Sequence, residues 1–225
     1  RNGNSVLERY INYFSNINND YFVIVNNGNE GDGYRHSEGD IRNDTVLYVP
    51  IIVGNETRDD KDETRYDFQI SLWTNIHDKL VFKVMSPLME ETSEFDTSNF
   101  FEVLNFDFNG GNVEIMSMPP SLKSNEREII IKIRDAVQGT WIVNLEGREV
   151  IYGEYDMWLP KKALTNYNVN FRHPCEGRTL TTPATAVKAL TSMCYSQYEG
   201  GIRILSGKPC EDMKKRTQES MVVDN

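Results

Sequence analysis

Tyr66-Asp67-Phe68-Gln69-Ile70-Ser71-Leu72 is the stretch on which the fold turns. Apolar and polar side chains alternate with the two-residue period of a strand that buries one face and wets the other. Leu80, Phe82 and Val84 repeat the pattern against Lys79 and Lys83, and Ile129, Ile131 and Ile133 repeat it within 127–134. The apolar stretch 46–53 and the segments 100–108, 112–118, 140–145 and 149–158 complete a set of about eight strands with short connections. No convincing helix interrupts them. An antiparallel sandwich of the jelly-roll type is therefore expected over residues 42–172.

The flanks have a different texture. Ser5-Val6-Leu7-Glu8 matches a capping box, and Leu7, Tyr10, Ile11, Phe14 and Ile17 then recur at helical spacing. Asn18-Asn19-Asp20 ends that helix, and Tyr21-Phe22-Val23-Ile24-Val25 is a continuous apolar run, as in a parallel strand covered on both faces. After Pro160 a helical turn is expected at Pro183–Ala186 and a buried strand at 189–195. The expected fold is thus a partial α/β doubly wound sheet at 1–41, an all-β jelly-roll insert at 42–172, and a returning α/β segment at 173–225.

Composition narrows the partners. The chain has 225 residues, with 34 acidic against 24 basic side chains and a net charge of -10. Such a surface repels phosphate backbones and anionic membranes, so neither nucleic-acid binding nor membrane insertion is expected. No apolar run approaches the roughly 20 residues of a spanning helix. The first residue is Arg1, which reads as the inside of a longer frame. Cys175, Cys194 and Cys210 are three, widely spaced and without a C-x-x-C pair, so buried or idle thiols are expected rather than a disulfide framework or a zinc site. Asn43-Asp44-Thr45 and Asn55-Glu56-Thr57 match the glycosylation sequon, as chance allows in a chain with 22 Asn.

Gly28-Asn29-Glu30-Gly31 is the sharpest chemical feature. An Asn carboxamide on a glycine-flanked loop at a strand's carboxyl end can point its N–H₂ into a cleft and stabilise a developing oxyanion. By itself the motif fits a plain turn equally well. Its setting is more specific. The capping box, the helix, the 21–25 strand and Asn-Gly-Asn-Glu-Gly, with His36 just beyond, resemble the stretch of subtilisin-like serine proteases that ends in A-A-G-N-E-G. Gly139-Thr140-Trp141 and Trp158-Leu159-Pro160 resemble the G-x-W and W-L-P marks of the jelly-roll insert in a clostridial branch. Arg178-Thr179-Leu180-Thr181-Thr182-Pro183-Ala184-Thr185-Ala186 resembles the T-L-T-x-P-G-T-A return, and Ser206-Gly207-Lys208-Pro209 resembles S-G-R-G-P. In order and extent the chain is similar to the Csp-type subtilases of clostridial spores.

That resemblance implies a serine endopeptidase of spore germination, located in the spore cortex and coat region, that activates a cortex-degrading hydrolase by limited proteolysis. Asn29 takes the oxyanion-hole position. The Asp and His motifs would precede Arg1 and the G-T-S nucleophile would follow Asn225, so the remaining parts of the same domain are the first implied partners. No cofactor and no metal are implied. The departures point to a second function, a pseudoprotease that relays a germinant signal by protein contacts: Asn26-Asn27 stand for two alanines, Ala184 for a glycine, and Thr191-Ser192-Met193 for a strand that ends near glycine. A carbohydrate-binding jelly-roll module ranks below both.

Other candidates read as structural. His36 orients a loop, His77 lies in a strand connection, and His173-Pro174 joins domains. Trp73, Trp141 and Trp158 are expected to pack the sandwich, and Glu90-Glu91 and Asp59-Asp60 to be solvated loop charge.

Overall fold

The computed structural model describes residues 6–17, 21–26, 33–54, 64–120, 125–160, 168–175, 182–192, 195–198 and 201–204. These form one helix, α1 (Val6–Ile17), and fifteen strands. In chain order the strands are β1 (Val23–Asn26), β2 (His36–Asp40), β3 (Val46–Val53), β4 (Tyr66–Asn75) and β5 (Lys79–Met85). Next come β6 (Phe95–Asp96), β7 (Val103–Phe108), β8 (Gly111–Ser117), β9 (Glu126–Ala136) and β10 (Gly139–Glu149). β11 (Glu154–Trp158), β12 (Val169–Phe171), β13 (Ala189–Ser192), β14 (Tyr195–Tyr198) and β15 (Gly201–Ile204) complete the set. Two compact units result, one from Arg1–Tyr34 and Cys175–Asn225, the other from Arg35–Pro174.

The second unit is a sandwich. Its five-stranded sheet runs β12-β3-β10-β5-β6 and its six-stranded sheet β2-β11-β4-β9-β8-β7. All of these strand pairs are antiparallel. β4 alternates as its sequence predicts, with Tyr66, Phe68, Ile70 and Leu72 buried. Ile129, Ile131 and Ile133 of β9 and Trp141, Val143 and Leu145 of β10 are fully buried in one shared core. Phe68 meets Trp141 edge-on at 6.3 Å, so one aromatic contact crosses from sheet to sheet. β3 pairs with β10 and β4 with β9, the outer wrapping of a jelly roll. Inside that wrapping the connections are simpler: β7-β8-β9 form a meander and β5-β6 a hairpin.

Pro50 lies within β3, where a missing N–H would ordinarily break a ladder. Its carbonyl accepts the Arg172 N–H at 3.0 Å, on the side of β12, which places the absent N–H on that same side. β12 pairs only through Val169–Phe171, so the ladder to β10 is spared.

The first unit overturns the expected α/β doubly wound sheet. Among the described residues its only parallel pairing is β1 with β13, from Val23↔Ala189 to Asn26↔Ser192. β14 and β15 form an antiparallel hairpin. Tyr21, Phe22 and Ile24 are exposed, Phe22 at 79%, as is Leu190 of β13. The run 21–25 is therefore not a strand covered on both faces, and 189–192 is not a buried one. The described chain is mainly β and mainly antiparallel, because the sandwich supplies most of the strands. At the expected helical turn, residues 182–185 form a turn closed by the Ala186 N–H on the Pro183 carbonyl at 3.0 Å.

Two buried charges join three connections at one end of the sandwich. Asp78, 1% exposed, accepts the N–H groups of Ile151, Tyr152 and Gly153 at 2.7–2.9 Å. Arg127, also 1% exposed, donates to the carbonyls of Thr97 and Ile76, and Phe100 lies 5.3 Å from its guanidinium. Burial draws the Arg127 pKa down, while the charges of Asp96 and Asp78 oppose the shift. Gly153, at φ +84°, has no room for a Cβ, which would run into the Ile41 carbonyl.

Glu90 is a staple rather than free loop charge. It accepts the N–H groups of Asn109 and Gly110, the Asn109 carboxamide and the Ser86 hydroxyl. Burial pushes its carboxyl up, but these bonds together outweigh burial and hold it below the usual value near 4.5. Asp59 and Asp60 lie outside the described residues.

Two stability predictions follow from these contacts. Asp78→Ala leaves three backbone donors without their acceptor and should cost about 3 kcal/mol or more in urea unfolding. Glu90→Gln should lower the urea midpoint at pH 7. Because the folded pKa is depressed, that loss should fade as pH falls below the ordinary carboxylate value and through the folded one, where the carboxyl takes up its proton.

Candidate functional site

The segment that carries Asn29 leaves the carboxyl end of β1, and Asn29 itself lies outside the described residues. Its supports in the first unit are well defined. β1 and β13 run parallel, so Asn26 and Ser192 stand side by side at the carboxyl edge. Ser5 of the expected capping box is also outside the described residues.

Glu8 also reaches across to a distant part of the chain. It is 2% exposed on α1 and its carboxylate accepts the Thr185 hydroxyl. One helical turn later the Asn12 carboxamide oxygen accepts the Lys188 N–H at 2.9 Å. From the other side, the Thr191 hydroxyl of β13 donates to the Ala184 carbonyl at 2.7 Å. Three side chains thus pin the 184–188 stretch that follows the expected return motif. The inward stripe of α1 is Glu8, Ile11, Asn12 and Ser15, at i, i+3, i+4 and i+7. Of the expected apolar face Ile11 lies on this stripe, whereas Leu7 is 51%, Tyr10 62% and Ile17 60% exposed. Phe14 is half-buried and lies within ring contact of Tyr10 and Tyr21.

The three histidines all belong to the second unit. His36 is fully buried on β2 of the sandwich, donates through Nε2 to Asp156 Oδ1 at 2.8 Å, and stacks on Trp158 at 4.8 Å. Glu38 Oε2 lies 3.9 Å from the same nitrogen. This is a cross-strand clamp between β2 and β11, in which Trp158 stands directly opposite His36. The neighbouring Tyr155 ring covers Gly39, and burial raises its phenol pKa despite a hydrogen bond with Ser37. His77 is exposed in the β4–β5 turn and His173 is exposed next to Pro174.

The tryptophans divide. Trp141 fills the core as expected, but Trp73 and Trp158 lie on the outward face of the six-stranded sheet, 6.5 Å apart and edge-on. Trp73 Nε1 donates to Ser71, which donates to Glu128. Strand parity explains the split, since Leu72 and Met157 take the inward positions beside them. Cys175 is disulfide-bonded, which corrects the expectation of idle thiols.

Sequence reasoning missed Asn12, Thr185 and the bond between Glu8 and Thr185. A signal was present: two polar residues four apart flank Ile11 on an otherwise apolar helix. In a Glu8→Gln, Thr185→Val double-mutant cycle, a coupling of about 1–2 kcal/mol by urea unfolding is expected, and additivity would remove the contact.

No family model matches the sequence, and no curated protein matches it. A search of solved structures finds a likeness to the Clostridium perfringens CspB protease, at a TM-score of 0.70 and 21% identity. The alignment covers 87% of this chain and 39% of the CspB chain, so the chain spans about two fifths of that structure. At this identity, what the two proteins share is the fold.

Proposed function

We propose that this chain is an internal part of a Csp-type subtilisin-like serine endopeptidase of clostridial spore germination. The observation that carries the proposal is the likeness to the CspB protease over 87% of the chain, taken with the order of the motifs along it. In this role Asn29 donates a carboxamide N–H to the oxyanion of the tetrahedral intermediate. A Ser nucleophile, a His base and its Asp orienter come from flanking sequence. The substrate is the precursor of a cortex-degrading hydrolase, cut once or a few times in the spore cortex and coat region. The chain's first partners are the rest of its own catalytic domain. Exposed apolar side chains of the first unit support that assignment: Leu7, Tyr10 and Ile17 on α1, and Phe22 and Ile24 beside them in sequence.

A pseudoprotease that relays a germinant signal by protein contacts is the second function, and specific residues favour it. Asn26 puts a carboxamide at the carboxyl end of β1, in register with Ser192, where the family has small residues. Ala184 is 4% exposed at a position the family gives to glycine.

One experiment separates the two. The full-length protein is treated with a fluorophosphonate, which labels an activated serine, and assayed on the hydrolase precursor. Labelling and cleavage are expected; a folded protein that does neither would leave only the signalling function. In an active parent, Asn29→Ala should lower kcat by ~10²–10³ with KM little changed. Equal kcat would remove Asn29 from catalysis.

A further inference from the structure

Asn109-Gly110 is the two-residue link between β7 and β8, closed by the Phe108↔Gly111 pair. It is one of three Asn-Gly pairs in the chain, and the other two, at Asn2 and Asn27, lie outside the described residues. Asn-Gly is the dipeptide whose carboxamide is most readily lost, because glycine has no Cβ to hinder attack of its nitrogen on the preceding side chain. Here all three N–H groups of the dipeptide end on one carboxylate. Glu90 Oε1 accepts the Asn109 N–H at 2.8 Å and the Asn109 carboxamide at 3.0 Å, and Oε2 accepts the Gly110 N–H at 3.0 Å. The Gly110 carbonyl accepts the Val137 N–H at 2.8 Å. A Cβ at residue 110 would lie 3.1–3.2 Å from Ser86 and Glu90 Oε2, so the turn packs directly on the 86–90 loop. Asn109 is nonetheless exposed, within reach of solvent.

Glu90 thus holds both the nucleophile and the leaving group of deamidation. In that reaction the Gly110 N–H gives its proton to hydroxide and the nitrogen attacks Asn109 Cγ. The Cγ–Nδ2 bond breaks, and ammonia leaves with a proton from water, which restores the hydroxide. The five-membered succinimide then takes up water. Opening at Cγ gives aspartate, and opening at the Asn109 backbone carbonyl gives isoaspartate, whose main chain runs through Cβ and Cγ. Two features oppose the first step. The nitrogen anion would form 3.0 Å from a carboxylate oxygen, where like charges repel. The N–H must also give up a charge-assisted hydrogen bond. Glu90 is no help as the base, since its bonds hold its pKa below the usual carboxylate value.

We propose that Asn109 is a deamidation site latched by Glu90: it stays an amide while the 86–90 loop holds the turn, and it is converted once that loop lets go. The conversion runs one way. In the product a carboxylate replaces the Nδ2 donor that faced Glu90 Oε1, so repulsion keeps the staple from closing again. Isoaspartate also adds a backbone atom to a two-residue link, which breaks the Phe108↔Gly111 register. The turn thus records an opening of the β5–β6 connection as a covalent change.

The test is peptide mapping by mass spectrometry of the full chain held at mildly alkaline pH, with an isoaspartyl methyltransferase to mark isoaspartate. Asn109 in the folded chain is expected to convert about tenfold or more slowly than in the same chain unfolded in urea. Glu90→Gln, read on folded protein, should speed conversion at Asn109 about tenfold, in keeping with the loss of a charge-assisted hydrogen bond. Equal rates in the folded and unfolded parent, or an unchanged rate in folded Glu90→Gln, would overturn the latch. If Glu90→Gln does not fold, Asn109→Asp supplies the product directly. Its urea midpoint at pH 7 is expected below that of the parent. Each carboxylate raises the pKa of the other, so the loss is greatest above both values and fades on acidification. A midpoint equal to the parent's at pH 7 would mean that the product recloses the staple, and the latch would fail.

Discussion

The sandwich depends on a pair of buried charges that never leave the protein interior. Asp78 gathers the N–H groups of residues 151–153, and Arg127 gathers the carbonyls of residues 76 and 97. Between them they fix three strand connections at one end: β4–β5, β6–β7 and β10–β11. Removing either charge strands its own buried backbone partners and leaves the other charge without its nearby counter-charge, which couples the two. The strands carry the hydrophobic energy. The charges decide how the chain passes from one sheet to the other.

The strands of the second unit were legible because burial writes a period of two into them. Every segment that alternates in sequence forms a strand, from β3 through β5 and from β7 through β11. Three strands escaped: β2, β6 and β12. β2 reads His-Ser-Glu-Gly-Asp, and nothing in that string suggests a pleated apolar face. It is held at the sheet edge by cross-strand partners on β11, where the Tyr155 ring shields Gly39 and His36 lies on Trp158. Such pairing depends on residues more than a hundred positions away, which no local pattern encodes. β6 and β12 are two and three residues long, too short to show a period.

The first unit was less legible for a different reason. Its pattern of apolar residues is real, but among the described residues only part of it points inward. α1 uses Glu8, Ile11 and Asn12 to hold the 184–188 stretch, while Leu7, Tyr10 and Ile17 are exposed. The amphipathic rule assumes that the most apolar stripe meets the protein's own core. Here a mixed stripe of Glu8, Ile11, Asn12 and Ser15 faces inward, so the rule found Ile11 but not the polar residues beside it. The same exposure affects 21–25, an apolar run read as doubly covered and found half exposed. Asn29 was legible only as a motif, since its chemistry needs a cleft that motif spacing does not supply.

That exposure bears on function. Among the described residues β1 and β13 form a two-stranded parallel sheet, and a sheet of two strands has little stability of its own. β1 and β13 nevertheless run in register to the point where the Asn29 segment begins, held by three side-chain bonds around the 184–188 stretch. Polar contacts of this kind specify geometry more than they add stability. They set the position of the strand end, and they leave Leu7, Tyr10, Ile17, Phe22 and Ile24 exposed. An oxyanion donor needs placement to within a fraction of an ångström, and a support built from directional bonds provides it better than a nonspecific apolar contact. A signalling protein descended from such an enzyme can keep the same support, since accurate presentation of a loop serves recognition as well as catalysis. What the described residues fix is the carboxyl end of β1, and that support serves either of the two proposed functions equally well.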